Sequence, residues 1–415
     1  MAAFALTQPD AWAKSGETSG FLSAFFTFDR EIQQFISARH VPGGALAVVK
    51  DRRLVYRRGY GWADRENKVP VTPNSLFRIA SISKPFTAVA ALKLVEERKL
   101  DLNARVFDLL TAGAGALRLQ GGIADERWKQ ITVGHLLHHT GGWDRDRSFD
   151  PMFRPREIAK ALGIAGPPGP RDIIRYMLGQ PLEFDPGARY AYSNFGYCVL
   201  GRLIGNVAGT SYERFVREKA LAPIGIKRMR LGASLADKSA DGEVRYYTAR
   251  DETADSVFGT SPGKVPWPYG GFCLESMDAH GGWIASAVDL ARFAAALHDP
   301  QHCPLLKPET IQIMQAPPEP PVSRNPDGSL KDHYYGCGWL VRPVGREGKA
   351  NYWHTGSLPG TYTLLVRRHD GVSWAVLFNQ RSDDEKLPDS EIDPALHRAA
   401  NAVNEWPKFD LFRQE

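Results

Sequence analysis

The residues best suited to covalent chemistry lie in Phe77-Arg78-Ile79-Ala80-Ser81-Ile82-Ser83-Lys84-Pro85-Phe86-Thr87. From Ser83 onward the apolar spacing is helical, and Pro85 is compatible with a helix only in its first turn, where amide protons have no partner inside the helix. The helix therefore starts close to Ser81, and Ser81 and Lys84 fall three residues apart on one face. A helix N-terminus is a poor place for an ammonium group because the dipole there is positive, and burial disfavours the charge further. Lys84 should lose its proton more easily than a free lysine at about 10.4. A neutral amine beside a serine hydroxyl is a competent general base. Ser-x-x-Lys is common by chance and, taken alone, the pair reads as an N-cap serine and a surface lysine, so support must come from elsewhere.

Two further stretches supply it. Arg189-Tyr190-Ala191-Tyr192-Ser193-Asn194 offers a Tyr-x-Asn just before a helical run, Cys198 to Val207. A phenol near a lysine and a serine can relay a proton to a leaving group, and an amide can orient a substrate carbonyl. Tyr352-Trp353-His354-Thr355-Gly356-Ser357 places a His-Thr-Gly on an expected strand, where the glycine would let a substrate backbone approach closely. Other chemistries fit less well. His135 and His139 stand four apart on an expected helix, but Leu136 replaces the glutamate of H-E-x-x-H and no third zinc ligand is near, so no metal is expected. Gly209-Thr210-Ser211-Tyr212-Glu213 and Gly356-Ser357-Leu358-Pro359-Gly360 both fail the Gly-x-Ser-x-Gly nucleophile elbow.

The elements that must hold these residues come from both chain ends. Asp29 to Arg39 has helical apolar spacing, then Ala45 to Val49 and Leu54 to Tyr60 read as an antiparallel hairpin about a polar turn. Near the other end, Thr361 to Arg368 and Val372 to Asn379 flank His369-Asp370-Gly371, a strong hairpin signal, and Asp393 to Asn404 follows as a helix. From about Pro85 to Leu231 the pattern is mainly helical. The expected fold is α+β: one antiparallel sheet built from both termini, flanked by helices, with a helical region inserted. Asp144 to Pro170, Ala249 to Gly281 and Ala316 to Asp332 read as long loops, which are usually functional rims or mobile surface. Trp267, Tyr269 and Phe272 in the second of them could form an aromatic rim, or could simply pin the loop.

Bulk properties narrow the function classes. The 415 residues are 43% hydrophobic and 24% charged, an ordinary globular composition able to bury a large core. The net charge of +5 is small and dispersed, which argues against nucleic acid as a partner. The densest basic stretch, Asp51 to Arg58, alternates like a hairpin with one wet face. Cys198, Cys273, Cys303 and Cys337 lie far apart, with no zinc or redox spacing. No stretch approaches the ~20 apolar residues of a membrane span, and Met1 to Gly20 lacks the charge and apolar pattern of an export signal. The chain reads as cytoplasmic, although an exported protein with its signal removed would read the same.

In this order and at these separations, the three stretches resemble the serine β-lactamase-like superfamily of class C β-lactamases, D-alanyl-D-alanine carboxypeptidases and family VIII carboxylesterases. The resemblance runs from about Phe28 to Val403. His135-Leu136-Leu137-His138-His139-Thr140-Gly141-Gly142 is similar to the family's HLLxHTSG, with a glycine in place of the serine, and Gly281-Gly282-Trp283-Ile284-Ala285-Ser286-Ala287-Val288-Asp289-Leu290-Ala291-Arg292-Phe293 is similar to its GGLxSTAxDLARF. The resemblance implies Ser81 as the acylated nucleophile, Lys84 as its base and Tyr192 as the proton shuttle to the leaving group. It implies substrate contacts from Asn194, His354, Thr355, Gly356 and Ser357, an oxyanion hole from the Ser81 and Ser357 amides, and no cofactor. It divides the chain into a sheet domain, 1–84 with 232–415, and a helical domain, 85–231, with the cleft between them.

His354 stands where many β-lactamases have lysine, which tilts the expectation toward neutral short-chain esters, with weak β-lactam hydrolysis as a side activity. Arg189 or a loop arginine could still supply a charge. A peptidase or amidase acting on D-amino-acid peptides, and an inactive scaffold, are the alternatives. The expected partner is a small ester or amide substrate. Oligomeric state and natural substrate are not legible.

Overall fold

The computed structural model describes residues 18–112, 115–117, 122–259, 263–325, 327–345 and 348–414. The chain start read above for an export signal lies outside these residues up to position 17.

Eight antiparallel strands form the main sheet, in the spatial order Val69–Pro70, Arg53–Asp64, Gly43–Lys50, Val372–Phe378, Thr361–Arg367, Lys349–Leu358, Leu340–Val344 and Tyr334–Tyr335. Strands from both parts of the chain thus meet at its centre, where Gly43–Lys50 pairs with Val372–Phe378. Both predicted hairpins form. Asp51 and Arg52 turn the first with positive φ of 48° and 67°, and Gly371 turns the second at +86°, a conformation glycine adopts without steric cost.

The central strands are covered on both faces. Leu46, Val48, Trp374, Val376 and Phe378 pack against the helices Thr18–Arg39 and Ile392–Asn401, while Ala45, Ala47, Ala375 and Leu377 face the helix Ala287–Ala296. Small alanines on that second face let the helix lie close to the sheet. Double coverage also corrects the expectation of a wet face on the basic stretch, because Leu54, Val55 and Tyr56 are all buried. Arg58 there is not free in solvent. It pairs at 2.6 Å with Asp29, which also accepts from the Tyr56 and Tyr60 hydroxyls at 2.5 and 2.7 Å and so ties the first helix to the sheet.

Two of the long loops carry structure. Residues 144–170 include the helical turn Pro151–Phe153 and the helix Pro155–Leu162. Pro151, Pro155 and Pro170 sit at first helical positions, where a missing N–H costs nothing, while Pro167 and Pro168 stay outside any helix. Residues 249–281 include the small hairpin Thr253–Asp255 with Lys264–Pro266 and the helical turn Leu274–Met277. Among the described residues, no helix is long and apolar enough to cross a membrane.

Candidate active site

The helix Ser83–Glu96 runs through the interior, with eleven of its fourteen residues buried. A helix this apolar on every side must be enclosed, and enclosure makes it a rigid mount. Pro85 occupies its first turn, as its chemistry requires. Ser81 lies just ahead, in the helical turn Ala80–Ile82, where Ala80 takes a positive φ of 46°. That conformation is costly for a residue with a side chain and persists only where surrounding contacts impose it. Those contacts are visible. The Thr363 hydroxyl donates to the Ile79 carbonyl at 3.1 Å, the Thr361 hydroxyl donates to the Arg78 carbonyl at 3.0 Å, and the Ile79 amide donates to the Trp283 carbonyl at 3.0 Å. Ser81 is not a cap: neither the turn nor the helix has a side-chain capping bond at its start.

Lys84 is fully buried, and its Nζ lies 3.1 Å from Ser81 Oγ, 2.8 Å from Asn194 Oδ1 and 3.1 Å from the His280 carbonyl oxygen. Burial, reinforced by the positive charge of Arg145 and opposed by Asp150, holds its pKa well below that of an ordinary lysine. The contacts then fix the direction of each hydrogen bond. A neutral amine has two N–H groups and one lone pair, and both carbonyl oxygens can only accept, so they take the two N–H groups. That leaves the lone pair of the neutral amine for the Ser81 hydroxyl, whereas in the ammonium form the third N–H donates to Ser81 Oγ. Burial raises the pKa of Tyr192, with Ser81 beside it opposing the rise, so it remains a phenol. Lys84 Nζ lies 4.6 Å from the centre of the Tyr192 ring and the Arg145 guanidinium 4.8 Å.

Asn194 opens the helix Asn194–Ala208, which begins four residues earlier than the apolar run indicated because Ser193 Oγ caps it by accepting from the Gly196 amide at 3.1 Å. Its Oδ1 meets Lys84 and its Nδ2 donates to Asp150 Oδ2 at 2.7 Å. His354 and Thr355 lie on the strand Lys349–Leu358 and line the same cavity as Ser81, with Ser357 beside them. Gly356 serves a different purpose from the one expected. A Cβ there would come within 2.2 Å of the Ile79 carbonyl oxygen, so the glycine lets the strand lie against the nucleophile turn.

His354 is buried and neutral. Its Nε2 accepts from the Tyr335 hydroxyl at 2.9 Å and its Nδ1 donates to the Thr355 carbonyl at 2.7 Å, while burial pushes its pKa down to about 3. The unfolded chain binds a proton there below about 6.5 and the folded chain does not, so this share of stability is present above about 6.5 and lost as pH falls toward 3. The slope approaches about 1.4 kcal/mol per pH unit. Denaturant midpoints of the wild type and His354→Gln, measured at pH 7.5 and 5, should show the gap between them narrowing by about 2 kcal/mol. A gap independent of pH would contradict the neutral assignment.

The cavity holds about 480 Å³ and is lined by Ser81, Tyr192, Asn194, His354, Thr355 and Ser357 together with Arg145, Phe153, Tyr190, His280, Leu340 and Arg381, among others. Several of these escaped the sequence reading. Arg145 and Phe153 come from residues 144–170, as does Asp150, which reaches Asn194 without lining the cavity, and His280 immediately precedes the Gly281-Gly282 segment. His139 also joins the cluster, its ring centre 4.4 Å from those of Tyr192 and Tyr335. The helix carrying His135 ends at Leu137, and His139 lies beyond it at φ +58°, so the two histidines do not share a helix face. Arg189 is committed to Asp144 at 2.7 Å and does not line the cavity. Nor do Trp267, Tyr269 and Phe272 form its rim: Tyr269 and Phe272 pack around buried Arg78, and Phe153 and Tyr190 provide rings instead.

The profile of the Beta-lactamase family matches residues 28–396. Penicillin-binding protein 4* of Bacillus subtilis is 25% identical over 384 residues, covering 91% of this chain and 75% of that protein. Protein flp of Staphylococcus aureus is 29% identical over 199 residues, 48% of this chain and only 36% of that protein. Among solved structures, the octameric penicillin-binding protein homologue from Pyrococcus abyssi aligns with a TM-score of 0.66 and 26% identity, over 93% of this chain and 79% of that one.

Proposed function

The chain belongs to the beta-lactamase family and is a serine hydrolase, and from that premise we propose that Ser81 attacks the substrate carbonyl while Lys84 takes its proton. The observation that carries this reading is the 3.1 Å contact between Ser81 Oγ and a buried Lys84 that two carbonyl oxygens also contact. Attack forms the Ser81 Oγ–carbonyl carbon bond. The leaving group departs with a proton from Tyr192, which is refilled from the Lys84 ammonium. Water, deprotonated by the same pair, then releases the acid and restores Ser81. The Ser81 and Ser357 amides stabilise the oxyanion, a contribution worth about 10²–10³ in rate per donor.

The preferred substrates are short acyl esters, with weak turnover of β-lactams. The small cavity and the neutral His354 support this, since no ammonium occupies the position that would hold a substrate carboxylate. One observation favours a second reading. Arg145 and Arg381 both line the cavity, and cations there suit an amide or peptide that bears a carboxylate. Assays with p-nitrophenyl acetate and butyrate, a chromogenic cephalosporin and a D-alanyl-D-alanine peptide separate the two. Ester turnover exceeding the rest is the expected result, and turnover confined to the peptide would overturn the esterase reading.

A further inference from the structure

We infer that Asp150 is a positioning residue that fixes the polarity of the Asn194 amide and thereby aims the lone pair of Lys84 at Ser81. This rests on the assignment of Lys84 as the base. An ionised carboxylate only accepts hydrogen bonds. Asp150 Oδ2 sits 2.7 Å from Asn194 Nδ2, so the NH₂ end of that amide must face Asp150 and the carbonyl end must face Lys84, 2.8 Å away. Reversing the amide would set NH₂ against the amine. The lone pair of Lys84 would then accept from Asn194, an N–H would point at Ser81, and the hydroxyl would lose its proton acceptor.

Asp150 is itself held in place. Its Oδ1 accepts from the Met152 amide at 3.1 Å, capping the turn Pro151–Phe153, and only 12% of its side chain is exposed. Its nearest cation, Arg145, stands 3.8 Å away. The carboxylate therefore has one strong partner toward the site, and that partner is Asn194.

The test is Asp150→Asn, which keeps the shape and caps a helical turn about as well as aspartate, but whose amide can donate as well as accept. The expected result is a fall in kcat of roughly tenfold or more, with KM nearly unchanged, because substrate does not touch residue 150. The pH profile adds a readout that a structural role would not move. Lys84 faces Arg145 and Asp150 as charged groups and His139, His280, His354, Tyr192 and Tyr197 as titratable ones. Of these, Asp150 is the one that raises its proton affinity. Its neutralisation should move the acid limb of kcat/KM to lower pH while the plateau falls.

Circular dichroism and the thermal midpoint of Asp150→Asn should match wild type, so that the loss is read on folded enzyme. Wild-type kcat in Asp150→Asn, a loss expressed only in KM, or an acid limb that does not move would each overturn the inference. Labelling of wild-type Ser81 by a fluorophosphonate separates this outcome from failure of the nucleophile assignment itself.

Discussion

Ser81→Ala should lose hydrolysis of every substrate by at least ~10⁴-fold, leaving only what binding and the oxyanion donors provide. The loss follows from chemistry alone, because without Oγ no acyl-enzyme bond can form. The same variant should fold normally. Ser81 caps no helix, the turn that carries it is held through the backbone by Thr361, Thr363 and Trp283, and alanine is compatible with its helical geometry. A thermal midpoint within a few degrees of wild type, about 1 kcal/mol or less in stability, is expected. Turnover measured beside that midpoint checks both halves: an inactive but unfolded variant, or a folded and active one, would contradict the account.

Lys84→Met is the second large effect. Methionine fills similar space with no base, and kcat/KM should fall roughly 10²–10⁴-fold. Two buried carbonyls, of Asn194 and His280, lose their donors, at a cost of about 1–3 kcal/mol in stability. The wild-type profile carries the sign of the mechanism. The amine must be unprotonated to act, so activity is lost as pH falls through the lowered Lys84 pKa, and the limb lies below the ordinary lysine value of about 10.4. That limb should disappear in Lys84→Met. Lys84→Arg, which stays charged in a site lined by acceptors for a neutral amine, should be inactive and less stable than the methionine variant. A methionine variant that kept the limb would assign it to another group.

Local signals were strong where local chemistry sets the structure. Pro85 in a first turn located the nucleophile helix, and Asp370-Gly371 located the second hairpin. The apolar run from Cys198 placed its helix late, although Ser193, a residue type favoured at N-caps, was a readable start. The groups around Lys84 were not legible. Asp150 and Arg145 reach the site from a stretch rich in charge, glycine and proline, and only the pairing with Asn194, 44 positions away, gives Asp150 its meaning. His280 presents a backbone carbonyl, which no side-chain pattern encodes. Gly356 was correctly singled out for close approach, but what approaches is the Ile79 carbonyl of the same chain.

Turnover begins with an ester bond forming at one hydroxyl with help from one amine. Rapid quenching during turnover of a slow ester, followed by proteolysis and mass spectrometry, reads both directly. The predicted result is an acyl adduct on the peptide containing Ser81, absent from Ser81→Ala and formed at least ~10²-fold more slowly in Lys84→Met. An adduct on another residue, or one formed at the wild-type rate without Lys84, would contradict it.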